Sequence, residues 1–83
     1  MNHDTTRVPS LDDRLAEALF EQRTILLGEP LEDHNTNRLC NALLVLSAAD
    51  PKADIRFLIN SPGGSVPGML AIRDCMRTIP NDV

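Results

Sequence analysis

Tryptophan and tyrosine are absent from this chain, and phenylalanine occurs only at Phe20 and Phe57. Any core must therefore be built from Leu, Ile, Val, Ala and Met, the residues of helix faces and buried strands. A stripe of positive charge is missing as well: the eight Lys and Arg stand singly and the net charge is −4. Nothing tracks a phosphate backbone, which excludes the usual nucleic-acid partner. No C-x-x-C is present, and Cys40 and Cys75 fall in separate helical patterns. They are expected as two buried, reduced thiols rather than a disulfide or a metal site. No stretch reaches the ~18 apolar residues of a membrane span, and residues 1–7 lack the apolar run of a signal peptide. The chain is expected to be cytoplasmic and soluble, with no metal and no cofactor. Walker and G-x-G-x-x-G patterns are missing, so nucleotide binding has no support. Repeats, heptads and low-complexity segments are absent too.

What is there belongs to a folded protein: 42% of the 83 residues are hydrophobic, too many for a disordered tail. A chain of this size buries only ~60% of its unfolded surface, so its core is marginal and partners are expected, either more chain or other subunits. Residues 1–9 are polar, end at Pro9 and read as a mobile arm. Ser10 then caps a helix running to about Glu21, with Asp12 and Asp13 at the positive end of its dipole and Leu11, Leu15, Ala18 and Leu19 on one face. Thr24 to Leu27 is a short apolar strand closed by Gly28 and Pro30. Asp33 can cap a second helix to Ala49, with Leu39, Ala42, Leu43 and Leu46 inward. Leu44 and Val45 widen its apolar face enough for two neighbours. Ile55 to Asn60 is nearly continuous in apolar character, as a strand covered by helices should be. A third helix starts near Pro67, with Met69, Ile72, Met76 and Ile79 inward, and stops at Pro80. The order α-β-α-β-α defines an α/β protein with two parallel strands joined by a helical crossover.

One segment carries chemistry. Asn60-Ser61-Pro62-Gly63-Gly64-Ser65-Val66 follows the second strand, at the end of a parallel sheet where α/β proteins place ligands. Adjacent glycines adopt positive φ at low cost, and the next helix aims its free N–H groups and dipole back at the turn. Such a turn suits a phosphate or the oxyanion of acyl transfer. On these residues alone, a strand-to-helix turn without a ligand is the commoner outcome. Other candidates fail on their own terms. His3 lies in the arm, and His34 sits among polar residues in a first helical turn. Ser61 and Ser65 are outside any G-x-S-x-G elbow and read as turn and capping hydroxyls. Glu29, Glu32 and Asp33 look like a solvated helix entry.

The ordered set of motifs resembles the Clp proteases. Arg23-Thr24-Ile25-Leu26-Leu27-Gly28 and Leu31-Glu32-Asp33 are similar to that family's R-x-I-x-L-G and (I/L)-(D/E)-D. Asn37, Leu39 and Leu43 to Leu46 stand in its Leu-rich helix. Asp50-Pro51 and Asp54-Ile55 match D-P-x-x-D-I, Ile59 to Val66 reproduces I-N-S-P-G-G-S-V, and Ala71 to Met76 is similar to A-I-Y-D-T-M. The resemblance runs from residue 11 to residue 83. It identifies residues 10–83 as a partial Clp-protease/crotonase-like domain, the N-terminal portion of a parallel-sheet fold.

The resemblance implies a serine-type endopeptidase subunit. Identical or paralogous copies would build a chamber of two stacked seven-membered rings, and a Clp-type ATPase unfoldase would feed it unfolded polypeptides. It implies that the Gly64 N–H is one oxyanion donor and that Gly64, Ser65 and Val66 hold substrate as an added strand. It places the nucleophile, base and acid beyond Val83, so residues 1–83 alone are expected to be inactive. Departures are also legible. Pro67-Gly68-Met69-Leu70 replaces T-A-G-M, Arg56 and Leu58 stand where aromatics are common, and the arm is short. These are the marks of a divergent paralogue, one that would work in a mixed ring. The alternatives are a non-catalytic ring subunit, a signal-peptide-peptidase-like serine protease and a crotonase-like acyl-CoA enzyme.

Overall fold

The computed structural model describes Val8 and residues 10–83; the arm read over residues 1–9 lies, Val8 apart, outside them. The element order is α1 (Leu11–Glu21), β1 (Thr24–Leu27), α2 (Asp33–Ala49), β2 (Arg56–Ile59) and α3 (Val66–Thr78). This is the expected α-β-α-β-α succession. β1 and β2 pair in parallel, with Thr24 opposite Arg56 and Leu27 opposite Ile59, and α2 makes the crossover.

α1 and α3 begin where a serine hydroxyl satisfies an orphan N–H of the first turn, and α2 begins where a side chain of its first turn bonds back to the entry. Ser10 closes a capping box on α1: its Oγ accepts from Asp13 N at 3.1 Å, and the Asp13 carboxylate accepts from Ser10 N at 3.3 Å. The cap of α2 is Glu32, not Asp33, because the chain is still extended there. Asn35 is what fixes this start. Its carbonyl oxygen accepts from Glu32 N at 2.7 Å, and its amide donates to Pro30 O at 2.8 Å and Glu29 Oε1 at 3.0 Å. Ser65 caps α3 through a 3.1 Å bond from Gly68 N, and Pro67 sits in the first turn.

The core lies between the sheet and the helix pair α2 and α3. It gathers Ile25, Leu27, Leu39, Leu43, Leu46, Ile55, Ile72 and Ile79, with Leu43 fully buried at 0% exposure. The stripes are less complete than their periodicity suggests. α1 buries none of its residues, Leu11 and Leu15 face outward, and Met69 is exposed on α3. β2 is shorter than the apolar run 55–60 and is not covered: Leu58 is 49% and Ile59 is 70% exposed. β1 also has a strand on one edge only, yet it is buried at Thr24, Ile25 and Leu27, so the two strands differ in what covers their faces rather than in their edges.

The ends of β1 and β2 opposite the glycine turn are held by a polar clasp. Arg23 adopts φ 58° and donates from its guanidinium to Asp54 O at 3.0 Å, Asp50 O at 3.0 Å and Ala53 O at 3.2 Å. The Asn81 amide reaches two of the same carbonyls, Asp50 O at 2.8 Å and Ala53 O at 2.7 Å. Ile55 N donates to Asp82 O at 2.8 Å. Among the described residues, no helix is long and apolar enough to cross a membrane.

Leu43→Ala tests the core directly. Loss of a fully buried leucine removes transfer energy and leaves a cavity, worth about 2–5 kcal/mol. Since that equals much of the stability of a small domain, urea titration by circular dichroism should show the cooperative transition lost or moved to far lower urea.

Candidate functional site

The glycine turn is built by its contact with Leu31. β2 runs out at Ile59, and Asn60 N continues the ladder by donating to Leu27 O at 2.8 Å. Ser61 then folds the chain back: its Oγ donates to Gly63 O at 3.0 Å and accepts from Gly63 N at 3.2 Å. Leu31 N donates to Gly63 O and Ser65 N donates to Leu31 O, each at 2.9 Å. These two bonds set Gly64 opposite Leu31 in an isolated parallel bridge. Both glycines have positive φ, 120° for Gly63 and 137° for Gly64, a region that side-chain-bearing residues rarely enter.

The two glycines are needed for different reasons. A Cβ on Gly63 would meet only the Met69 methyl, at 3.9 Å. A Cβ on Gly64 would land on the Leu31 carbonyl oxygen and within 2.6 Å of Leu31 N. Gly64 is therefore both conformationally and sterically obligatory. It is exposed, and its N–H takes part in none of the turn's bonds, having no hydrogen-bond partner among the described residues. The N-terminus of α3 stands behind it with no acidic residue in its first turn, so the positive end of the helix dipole is not neutralised. An exposed, unengaged N–H on a rigid turn at the end of a parallel strand can donate to an anionic oxygen.

The other predicted residues fall around this point. Ser65 spends its hydroxyl on the α3 cap, Val66 opens that helix with its side chain 64% exposed, and Ser61 holds the turn. His34 is not drawn in. Its ring lies against the carboxylates of Glu32 at 3.5 Å and Glu29 at 3.8 Å and is well exposed. Glu29 also takes Arg38, at 3.6 Å, so the acidic entry of α2 is an ion-paired surface. His3 lies outside the described residues. Cys40 and Cys75 are free thiols as expected, but half-buried rather than buried.

Two participants carried no signal in the sequence. Leu31 contributes backbone, which no residue type advertises. Met69 turns its side chain under Gly63 and, with Leu27, Phe57, Ile59 and Met76, walls an apolar groove of about 400 Å³ that Arg73 borders.

The turn's rigidity yields a paired prediction. Gly63→Ala meets only the Met69 methyl at ordinary contact distance and should cost about 1–3 kcal/mol from φ strain alone. Gly64→Ala adds a backbone clash to the same strain, so it should cost more and break the bridge. Amide exchange of Ser65, whose N–H reports the Leu31 bond, should accelerate strongly in the second variant and only modestly in the first.

Comparison with known proteins identifies the family. The family profile that matches is Clp protease, over residues 10–83. The chain is 55% identical over 78 residues to the ATP-dependent Clp protease proteolytic subunit 3 of Streptomyces coelicolor, covering 94% of this chain and 36% of the relative. It is 53% identical over 81 residues to subunit 3 of Rhodococcus jostii, covering 95% and 40%. It is 56% identical over 72 residues to subunit 1 of Streptomyces avermitilis, covering 87% and 33%. The chain thus spans between 33% and 40% of the length of these curated relatives. With a profile matched across nearly its whole length, the chain belongs to the Clp protease family.

Proposed function

We propose that this chain is the N-terminal part of the proteolytic subunit of an ATP-dependent, serine-type Clp endopeptidase, with residues 1–9 as an arm and residues 10–83 as a partial domain. In this reading the Gly64 N–H donates to the oxyanion of the tetrahedral intermediate. The backbone of Gly64, Ser65 and Val66 receives the unfolded polypeptide as an added strand, a main-chain mode that accepts many sequences. Nucleophile, base and acid come from sequence beyond Val83. Gly64 supplies charge stabilisation only, and that acts after a nucleophile has attacked.

The single observation that carries the reading is the exposed, unengaged N–H of Gly64 on a turn that no other residue can form. A donor pre-set in this way needs no reorganisation as charge develops, which is why one such donor is worth roughly 10²–10³ in kcat. The relatives' names, all ATP-dependent Clp protease proteolytic subunits, support an energy-dependent partner of the Clp ATPase unfoldase kind. Assembly into a double seven-membered ring with identical or paralogous copies has physical support in the outward apolar side chains. Leu11 and Leu15 of α1 and Leu44 and Val45 of α2 are exposed, apolar side chains of the kind an interaction surface would use. We place the complex in the cytoplasm.

The test has two arms. Residues 1–83, purified from host protease and assayed with a fluorogenic peptide, should show no turnover above buffer and no labelling by a serine-reactive probe. Turnover there would mean that the nucleophile lies within this chain and that its assignment is wrong. In the longer protein containing this segment, Gly64 is replaced by glycolic acid through semisynthesis. This amide-to-ester exchange deletes the N–H and keeps the φ freedom. It should lower kcat about 10²–10³-fold, with ring assembly unchanged by size-exclusion chromatography. An undiminished kcat in an intact ring would remove Gly64 from the mechanism.

A further inference from the structure

α2 and α3 lie directly against each other, and glycine is what lets them meet. A Cβ on Gly68 would come within 2.6 Å of Thr36 Oγ1 and 3.2 Å of Leu31 Cδ2, so the first turns of the two helices are in backbone-close contact. From that point Cys40 is one turn further along α2 and Cys75 two turns further along α3, which puts both on the facing sides. Cys75 is close enough to Cys40 to help push its thiol pKa up, as their placement on the facing sides requires. Both thiols are free and half-buried, and both pack on the margin of the same core cluster. The Gly64 turn uses neither of them. The A-I-Y-D-T-M segment that this part of the chain resembles has Thr at the position of Cys75.

We propose that Cys40 and Cys75 form a redox latch between α2 and α3, a dithiol that closes to an internal disulfide when a low-molecular-weight disulfide is the oxidant. The thiolate of one cysteine attacks a sulfur of R–S–S–R, forming a mixed disulfide and expelling RS⁻, which takes up a proton. The thiolate of the second attacks the protein sulfur of that mixed disulfide, forms the Cys40–Cys75 bond and expels the other RS⁻. Two protein thiols are oxidised and one reagent disulfide is reduced to two R–SH. Thiols on the facing sides of two packed helices start near one another, and closing a loop from residue 40 to residue 75 removes freedom chiefly from the unfolded chain. The environment sets the speed. Burial first, then the neighbouring Cys75, push the Cys40 thiol up to about 11. The thiolate is scarce at neutral pH, closure is slow there, and the latch ignores brief oxidation. It stands independently of any reading of the Gly64 turn.

The experiment equilibrates residues 1–83 anaerobically with mixtures of reduced and oxidised glutathione, in native buffer and in concentrated urea, and traps the products with acid. Non-reducing tryptic mapping should show the peptide 39–52 joined to the peptide 74–77, with the mass of two hydrogens lost. The effective concentration of the two thiols should be at least ~10-fold higher in native buffer than in urea, since only the folded packing holds them together. Cys75→Thr should abolish the internal link and leave Cys40 carrying glutathione alone. Equal effective concentrations in the two solvents, or cross-linked dimers in place of the internal pair, would overturn the proposal.

Discussion

Gly64 has no side chain, and the backbone of Leu31 fills the place where one would begin. This close approach joins the two connections that leave the sheet at the same end, β1 to α2 and β2 to α3. Leu31 is 2% exposed and is gripped twice, by the Gly64 backbone along its own main chain and by Gly68 against its side chain. Moving either connection would therefore move the other. Both follow the carboxyl ends of parallel strands, where loops converge and ligands bind in open α/β sheets. The unengaged N–H of Gly64 is a by-product of this arrangement. The parallel bridge uses the groups on either side of Gly64, Gly63 O and Ser65 N, and turns its own N–H outward.

Much of this was legible because it is written in residue types with local consequences. Ser10 and Ser65 announce helix starts through hydroxyls that accept from the third N–H on, and Pro67 is tolerated because it stands in the first turn. The leucine spacing of α2 reports its inward face, and Gly63-Gly64 reports positive φ. The start of α2 was misplaced by one residue because a carboxylate at Asp33 looks like a cap. The structural cap works from the other side, through Asn35 bonding back to Glu32. Burial was harder to read. Apolar content shows that Leu58, Ile59 and Met69 prefer a partner, but it does not show whether this chain supplies one, and it does not. The meeting of Cys40 with Cys75 depends on how two helices cross, and no spacing encodes that.

The two ends of the strand pair are treated in opposite ways. At the end that holds Arg23, almost every polar group is spent. A non-glycine residue at positive φ costs about 1 kcal/mol or more, yet Arg23 sits there because the conformation aims its guanidinium at three carbonyls at once. Charged donors make such bonds worth more than neutral ones, so the strain is offset. Asn81 adds its amide to two of the same carbonyls and leaves its own Oδ1 buried without a partner. That penalty of about 1–3 kcal/mol is accepted because turning the amide round would aim its oxygen at Asp50 O and Ala53 O and forfeit both bonds. At the Gly64 end the expenditure stops: the turn is rigid, but its outward N–H is left to whatever approaches from solvent. A staple at one end and an open donor at the other is the division expected when one end of a sheet holds the fold and the other receives a ligand. Exposed apolar residues extend that contrast, since Ile59 at the end of β2 and Met69 of α3 border the same open groove beside the turn. A rigid turn and an N–H left out of its bonds thus coincide at Gly64, which is what the proposed oxyanion role asks of it.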